Sequence, residues 1–145
     1  MSETSDSDGT SLTEAERALV DAAWTARDGA RCEYSGFAVG AALETTAGVV
    51  HTGANVENAS YNLGLCAERV GMYHALTHGA EAFRTVVIAT DTADPTYPCG
   101  ACRQALWEFA PDAVLWLSVA RGRIALRTTV AATLPAGFDK RALQR

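Results

Sequence analysis

Three thiols at two spacings carry the sharpest chemistry in this chain. Cys99 and Cys102 stand in Pro98-Cys99-Gly100-Ala101-Cys102, and Cys66 heads Cys66-Ala67-Glu68, 33 positions before Cys99. A C-x-x-C turn lets two thiolates reach one ion, and both segments read as helix starts, where the positive end of the helix dipole stabilises anionic sulfur. Zinc favours four tetrahedral positions; a catalytic site takes three from the protein and leaves one for water, whereas a closed structural site takes all four. Three cysteines fit the open arrangement. Three thiolates around Zn²⁺ sum to a negative charge that weakens the metal as a Lewis acid, so a nearby cation is needed, and Arg69 and Arg103 are the local candidates. Glu68, two residues beyond a ligand, is placed to take a proton from an activated water and deliver it to a leaving nitrogen.

Other readings of the same residues make less of them. A redox dithiol would leave Cys-Ala-Glu unexplained. A structural zinc site would need Cys32 or a histidine as fourth ligand, yet Cys32 reads as a small apolar residue packed beside Tyr34. His51, His74 and His78 fall in a strand and a helix without mutual ligand spacing, and ordinary surface or packing roles are expected of them.

These residues need elements to hold them. Thr13 with Glu16 makes a capping box, and Ala15, Leu19, Ala22, Ala23 and Ala26 keep helical spacing until Gly29. Phe37, Val39, Ala41 and Leu43 alternate with small residues, and Val49 to Val56 follows after a turn, so the two segments read as an antiparallel hairpin. A second helix is expected from Cys66 to His78 and a buried strand within Arg84 to Thr90. A third helix is expected from Cys99 to Phe109, then strands at Ala113 to Val119 and Arg123 to Thr128, and a short closing helix after Phe138. That order predicts a three-layer α/β/α domain, an α/β fold with a five-stranded mixed sheet.

The whole chain is consistent with this. Its 145 residues suit one domain, and 48% apolar with 20% charged residues is ordinary globular composition. Residues 1–11 are polar and acidic and read as a disordered tail, leaving residues 12–145 as the single domain. A net charge of −5 argues against a nucleic acid polymer as partner. No apolar run approaches the roughly 18–20 residues of a membrane span, and the acidic N-terminus does not resemble an export signal, so a cytoplasmic protein is expected. Four cysteines in such a compartment point to metal binding or catalysis before disulfides.

Four blocks, in order, resemble the small cytidine deaminases: Tyr34-Ser35-Gly36-Phe37-Ala38-Val39-Gly40-Ala41-Ala42-Leu43, Asn55-Val56-Glu57-Asn58-Ala59-Ser60-Tyr61, Cys66-Ala67-Glu68-Arg69, and Pro98-Cys99-Gly100-Ala101-Cys102-Arg103-Gln104. The second block separates nucleoside deaminases from broader zinc deaminases. The resemblance runs from about Tyr34 to Phe138. It implies Zn²⁺ held by Cys66, Cys99 and Cys102, Glu68 as proton shuttle, and Arg69 softening the thiolate charge. It further implies that Phe37, Asn55 and Glu57 contact the nucleoside, the last two through ribose hydroxyls, and that Tyr61 and Phe138 reach a neighbouring subunit's ligand within a homotetramer.

The activity so implied is hydrolytic deamination of cytidine and deoxycytidine in pyrimidine salvage. A same-fold deaminase of a modified, blasticidin-type nucleoside is the nearest alternative; a non-catalytic zinc-stabilised binding module is the alternative from another class. Three positions depart from the family pattern: Glu33 where Pro is frequent, Gly36 where a basic residue is common, and Tyr97 where Ser usually precedes Pro-Cys. Tyr97 and Trp107 leave fine substrate choice open.

Overall fold

A computed structural model describes residues 4–5 and 11–144. Its elements are β1 (Thr4–Ser5), α1 (Glu14–Arg27), β2 (Val39–Thr45), β3 (Val50–Ala54), α2 (Ala67–Thr77), β4 (Phe83–Thr90), α3 (Gly100–Phe109), β5 (Val114–Ser118), β6 (Leu126–Thr129) and α4 (Val130–Thr133). Single turns of 3₁₀ helix at Tyr61–Leu63 and Lys140–Leu143 complete them.

One sheet runs in the order β1-β6-β5-β4-β2-β3, with β4 and β5 parallel and every other pairing antiparallel. The five expected strands form its body, β2 to β6, and the sheet is mixed. Thr4–Ser5 adds a two-residue strand on the open edge of β6, where unpaired backbone groups accept one. The rest of the expected tail before residue 11 lies outside the described residues.

The period-two alternation of the strands builds two cores. Ala41, Leu43, Val86 and Ile88 face α2 and α3, where they meet Met72, Ala75 and Leu106. Their neighbours Ala42, Val87 and Ala89 face the other way, against Leu19, Val20, Ala23 and Trp24 of α1. Helices thus cover both faces, which is the three-layer arrangement. α1 starts at the expected capping box: Glu16 N–H donates to Thr13 Oγ1 at 3.2 Å, and Thr13 N–H donates to Glu16 Oε2 at 2.9 Å. On the other face, α2 lies unusually close to β3, because Gly53 and Gly71 meet with no Cβ between the two backbones.

The chain's end departs from expectation in detail. Ile124 is buried in the α1-side core ahead of β6, and pairing with β5 spans Leu126–Thr129 rather than starting at Arg123. The Thr129 hydroxyl then accepts from Ala132 N–H at 3.1 Å and caps a one-turn α4 that the short pattern did not announce. The closing helix is the 3₁₀ turn at Lys140–Leu143.

Candidate active site

Cys66 and Cys99 are the N-cap residues of α2 and α3, and Cys102 sits in the first turn of α3. Both helices pack on the same face of the sheet and begin at the sulfur cluster, so the positive ends of both dipoles lie beside the thiols. All three Sγ atoms lie within 4.8 Å of one another, and Cys66 Sγ is 3.7 Å from Cys99 Sγ. Zinc–sulfur bonds of about 2.3 Å at tetrahedral angles put two sulfurs roughly 3.8 Å apart. The Cys66–Cys99 spacing is that of two sulfurs on one zinc, and Cys102 Sγ lies within reach of both. Among the described residues no fourth ligand joins the cluster, and Cys32 and the three histidines lie elsewhere, so the set is an open, three-ligand one.

Charge is arranged to match. Cys66 is drawn down to about 5 by a hydrogen bond from Cys102 first, with Arg69 and Cys99 adding to it against the cost of burial. Cys102 is pushed up, as the proton donor to Cys66 in a buried place. Arg69 Nη2 donates to Cys66 Sγ at 3.6 Å. Arg103, the other candidate cation, instead donates from Nε to the Pro98 carbonyl at 2.8 Å and from Nη1 to the Thr133 carbonyl at 3.2 Å. It braces the Pro-Cys loop, and the guanidinium at the thiolates is that of Arg69.

Glu68 is only 5% exposed, and burial pushes its carboxyl above the usual carboxylate range. Cys102 Sγ lies 3.7 Å from Glu68 Oε2. The carboxyl opens into a cavity of about 330 Å³ whose walls include Phe37, Asn55, Cys66, Thr90, Tyr97 and Cys99. A buried acid beside three thiols on the wall of a small, mostly apolar cavity can hold and return a proton to a bound heterocycle.

The polar rim has a finer structure than its spacing suggested. Asn55 Oδ1 accepts from Val39 N–H at 2.8 Å and its Nδ2 donates to the Phe37 carbonyl at 2.8 Å, so the amide ties the start of β2 to the end of β3. Glu57 accepts from the Tyr34 and Ser35 amides at 3.1 and 3.0 Å and from the Ser35 hydroxyl; that hydroxyl's bond above all keeps Glu57 ionised below the usual range. Glu57, Ser35 and Tyr61 line a neighbouring hollow of about 270 Å³, and Ser35 also lines the cavity with Glu68. The two spaces therefore meet at Ser35.

Tyr61 is 80% exposed and its ring meets Tyr34 edge-on at 5.8 Å. Phe138, 59% exposed, lies outside the cavity of its own chain, near Arg69, Tyr73 and Phe109. Gln104 Nε2 donates to the Phe138 carbonyl at 2.8 Å, and the Trp107 indole packs on Gly137 so closely that a Cβ there would lie 2.8 Å from the ring. Trp107 thus seats the segment that carries Phe138. Ser35, Thr90 and Thr96 line the cavity without having stood out in the sequence; they come from a turn, the end of β4 and a loop, and nothing in local spacing signals that they meet.

Residues 13–118 match the family described as the cytidine and deoxycytidylate deaminase zinc-binding region. The cytidine deaminase of Sporosarcina psychrophila is 39% identical over 123 residues, 84% of this chain and 90% of the relative. That of Halalkalibacterium halodurans is 43% identical over 121 residues, 83% and 91% of the two chains. Among solved structures, the cytidine deaminase of Burkholderia pseudomallei superposes with a TM-score of 0.79 at 40% identity, covering 88% of this chain and all of the other. The blasticidin-S deaminase of Bacillus cereus is more distant, 26% identical over 110 residues, 70% of this chain and 77% of the relative.

Proposed function

Because this chain belongs to the cytidine and deoxycytidylate deaminase family, we propose that the cavity beside Glu68 is where it hydrolyses cytidine and deoxycytidine to uridine and deoxyuridine with release of ammonia. The observation that carries this reading is a cluster of three sulfurs, two of which, Cys66 and Cys99, share one cavity with the buried carboxyl of Glu68. Cys66, Cys99 and Cys102 would hold the zinc. When bound, zinc supplies Lewis acidity that lets water act as a nucleophile near neutral pH.

The protein's own residues supply the rest. Glu68 takes a proton from the attacking water and passes it to N3 of the pyrimidine as the new C4–O bond forms. It then takes the remaining proton from the new C4 hydroxyl and delivers it to the amino nitrogen as the C4–N bond breaks and the C4 carbonyl forms, so water adds and ammonia leaves. Its burial keeps bulk water from exchanging that proton. Arg69 offsets part of the thiolate charge, and Phe37 and Tyr97 flank the ring in the apolar part of the cavity. The sugar extends past Ser35 toward Glu57 and Asn55, whose carboxylate and amide suit a diol.

Phe138 is exposed and apart from its own cavity, which suits a role at the cavity of a second copy, with Tyr61, in a homotetramer. Free thiols as ligands suit a reducing, cytoplasmic setting, and among the described residues no helix is long and apolar enough to cross a membrane. Returning uridine to the nucleotide pool is the use to which pyrimidine salvage puts such a reaction. A non-catalytic zinc module would leave Glu68 buried for no purpose.

A nucleoside panel assayed by ammonia release tests the proposal. Cytidine and deoxycytidine are expected to turn over, with free cytosine poor because it forfeits the sugar contacts that orient the ring. Equal rates on cytosine and cytidine, or turnover confined to a blasticidin-type nucleoside, would overturn it.

A further inference from the structure

All three histidines of the chain meet on one surface, although they come from two elements. His74 and His78 lie four residues apart at the C-terminal end of α2, of which His78 is the C-cap, and their rings stack with centroids 4.1 Å apart. His51 on β3 meets His74 edge-on at 5.7 Å. None belongs to the core: His51 is half-buried and the other two are exposed. His78 Nδ1 lies 2.8 Å from the His74 carbonyl oxygen. Donation to that carbonyl engages Nδ1 and leaves Nε2 as the ring nitrogen that faces a metal, the arrangement in which such a bond orients an imidazole.

A pocket of about 260 Å³ between the β2–β3 turn and the α2–β4 connection is lined by His51, His78 and Glu81, with Thr45 and Thr46 beside them. Imidazoles with a carboxylate are a donor set for borderline first-row divalent ions, and two histidines at i, i+4 on a helix reach one ion together. The negative end of the α2 dipole favours a cation at this place. Among the described residues only the three cysteines already hold their donor atoms within 4.8 Å of one another, so an ion here draws the exposed His74 ring out of its stack while His78 keeps its bond to the His74 carbonyl.

We propose that His51, His74 and His78, with Glu81, form a second metal site that takes a divalent transition ion such as Ni²⁺ or Zn²⁺, about 16 Å along α2 from its cysteine end. An ion there ties β3 to the end of α2. It does not depend on the deaminase reading, since none of its residues lines the cavity of Glu68.

The test is a calorimetric titration of the untagged, zinc-replete protein with Ni²⁺, with Mg²⁺ as the control. Wild type is expected to take one further Ni²⁺ per chain in the micromolar range and no Mg²⁺. His74→Gln/His78→Gln, and separately His51→Gln, should weaken that binding by about tenfold or more while keeping the first zinc. No second equivalent in the wild type, or undiminished binding in the double variant, would overturn the site. Should the double variant fold poorly, His78→Gln alone carries the same two outcomes.

Discussion

Replacing Gly53 with alanine probes how the sheet positions the site. A Cβ on Gly53 would lie 2.3 Å from Gly71 N and 2.5 Å from the Ala67 carbonyl oxygen. Both atoms are backbone of α2, so no side chain can swing aside. Ordinary contact begins near 3.4 Å, so helix and strand must part by about 1 Å, the difference between that distance and 2.3 Å. Overpacking of this kind costs about 1–3 kcal/mol, and for a chain of this size that lowers Tm by roughly 3–10 °C. Cys66, Ala67 and Glu68 open the displaced helix, while Phe37 and Asn55 stay with β2 and β3. A misplacement near 1 Å costs about 100-fold in rate, so kcat/KM is expected to fall by about that factor. Gly100→Ala is the contrast: nothing lies within 4 Å of a Cβ there, and a first-turn alanine should raise stability by about 0.4–1 kcal/mol. Scanning calorimetry and steady-state ammonia release, with zinc content measured on each sample, read both effects. An unchanged Tm and kcat/KM in Gly53→Ala would refute the argument that this contact seats the helix.

Asn55→Ala removes one partly buried and one exposed hydrogen bond, each worth at most about 0.5–1.5 kcal/mol, so denaturant titration should show lost stability and kinetics a raised KM, with zinc unchanged. If Glu57 meets the sugar as proposed, Glu57→Ala should raise KM for cytidine far more than for free cytosine; an equal effect on both would move it out of the substrate site. A chain ending before Leu134 should keep its zinc, lose nucleoside affinity, and regain some sites when mixed with an intact-tail Glu68→Gln partner, whereas a fully active monomer by sedimentation would remove Phe138 from a shared site. Glu16 has its carboxyl held low by the Thr13 backbone hydrogen bond first, and by Arg127. A carboxyl lowered on folding adds stability above its ordinary 4.5 and loses it as pH falls through the lowered value, so wild type should exceed Glu16→Gln at neutral pH and converge with it in acid.

Most of the fold was legible because its periods are clean. Ala41, Leu43, Val86 and Ile88 alternate with Ala42, Val87 and Ala89, and the two sets became the two cores. The thiols were legible because C-x-x-C and Cys-Ala-Glu are local patterns set at helix starts. What stayed hidden depends on contacts between distant segments. Nothing near Glu57 announces that it caps the loop at Ser35, 22 residues away, nor near Asn55 that its amide would bridge Phe37 and Val39. The expectation that the histidines lack mutual ligand spacing is corrected for His74 and His78, which stand at i, i+4 on α2, and only the packing of α2 on β3 brings His51 to them. At the C-terminus, α4 spans four residues, too few for a period to register, whereas the closing turn after Phe138 was expected.

The central claim, that zinc held by the three cysteines and a proton carried by Glu68 together deaminate a cytosine nucleoside, is tested most directly by one comparison. Zinc content, uridine formed and ammonia released are measured on the same samples of wild type and Glu68→Gln. Wild type should hold one zinc per chain and release one ammonia per uridine, and Glu68→Gln should keep its zinc yet turn over several orders of magnitude more slowly. Near-normal turnover in Glu68→Gln, or deamination by wild type stripped of its zinc, would contradict the account.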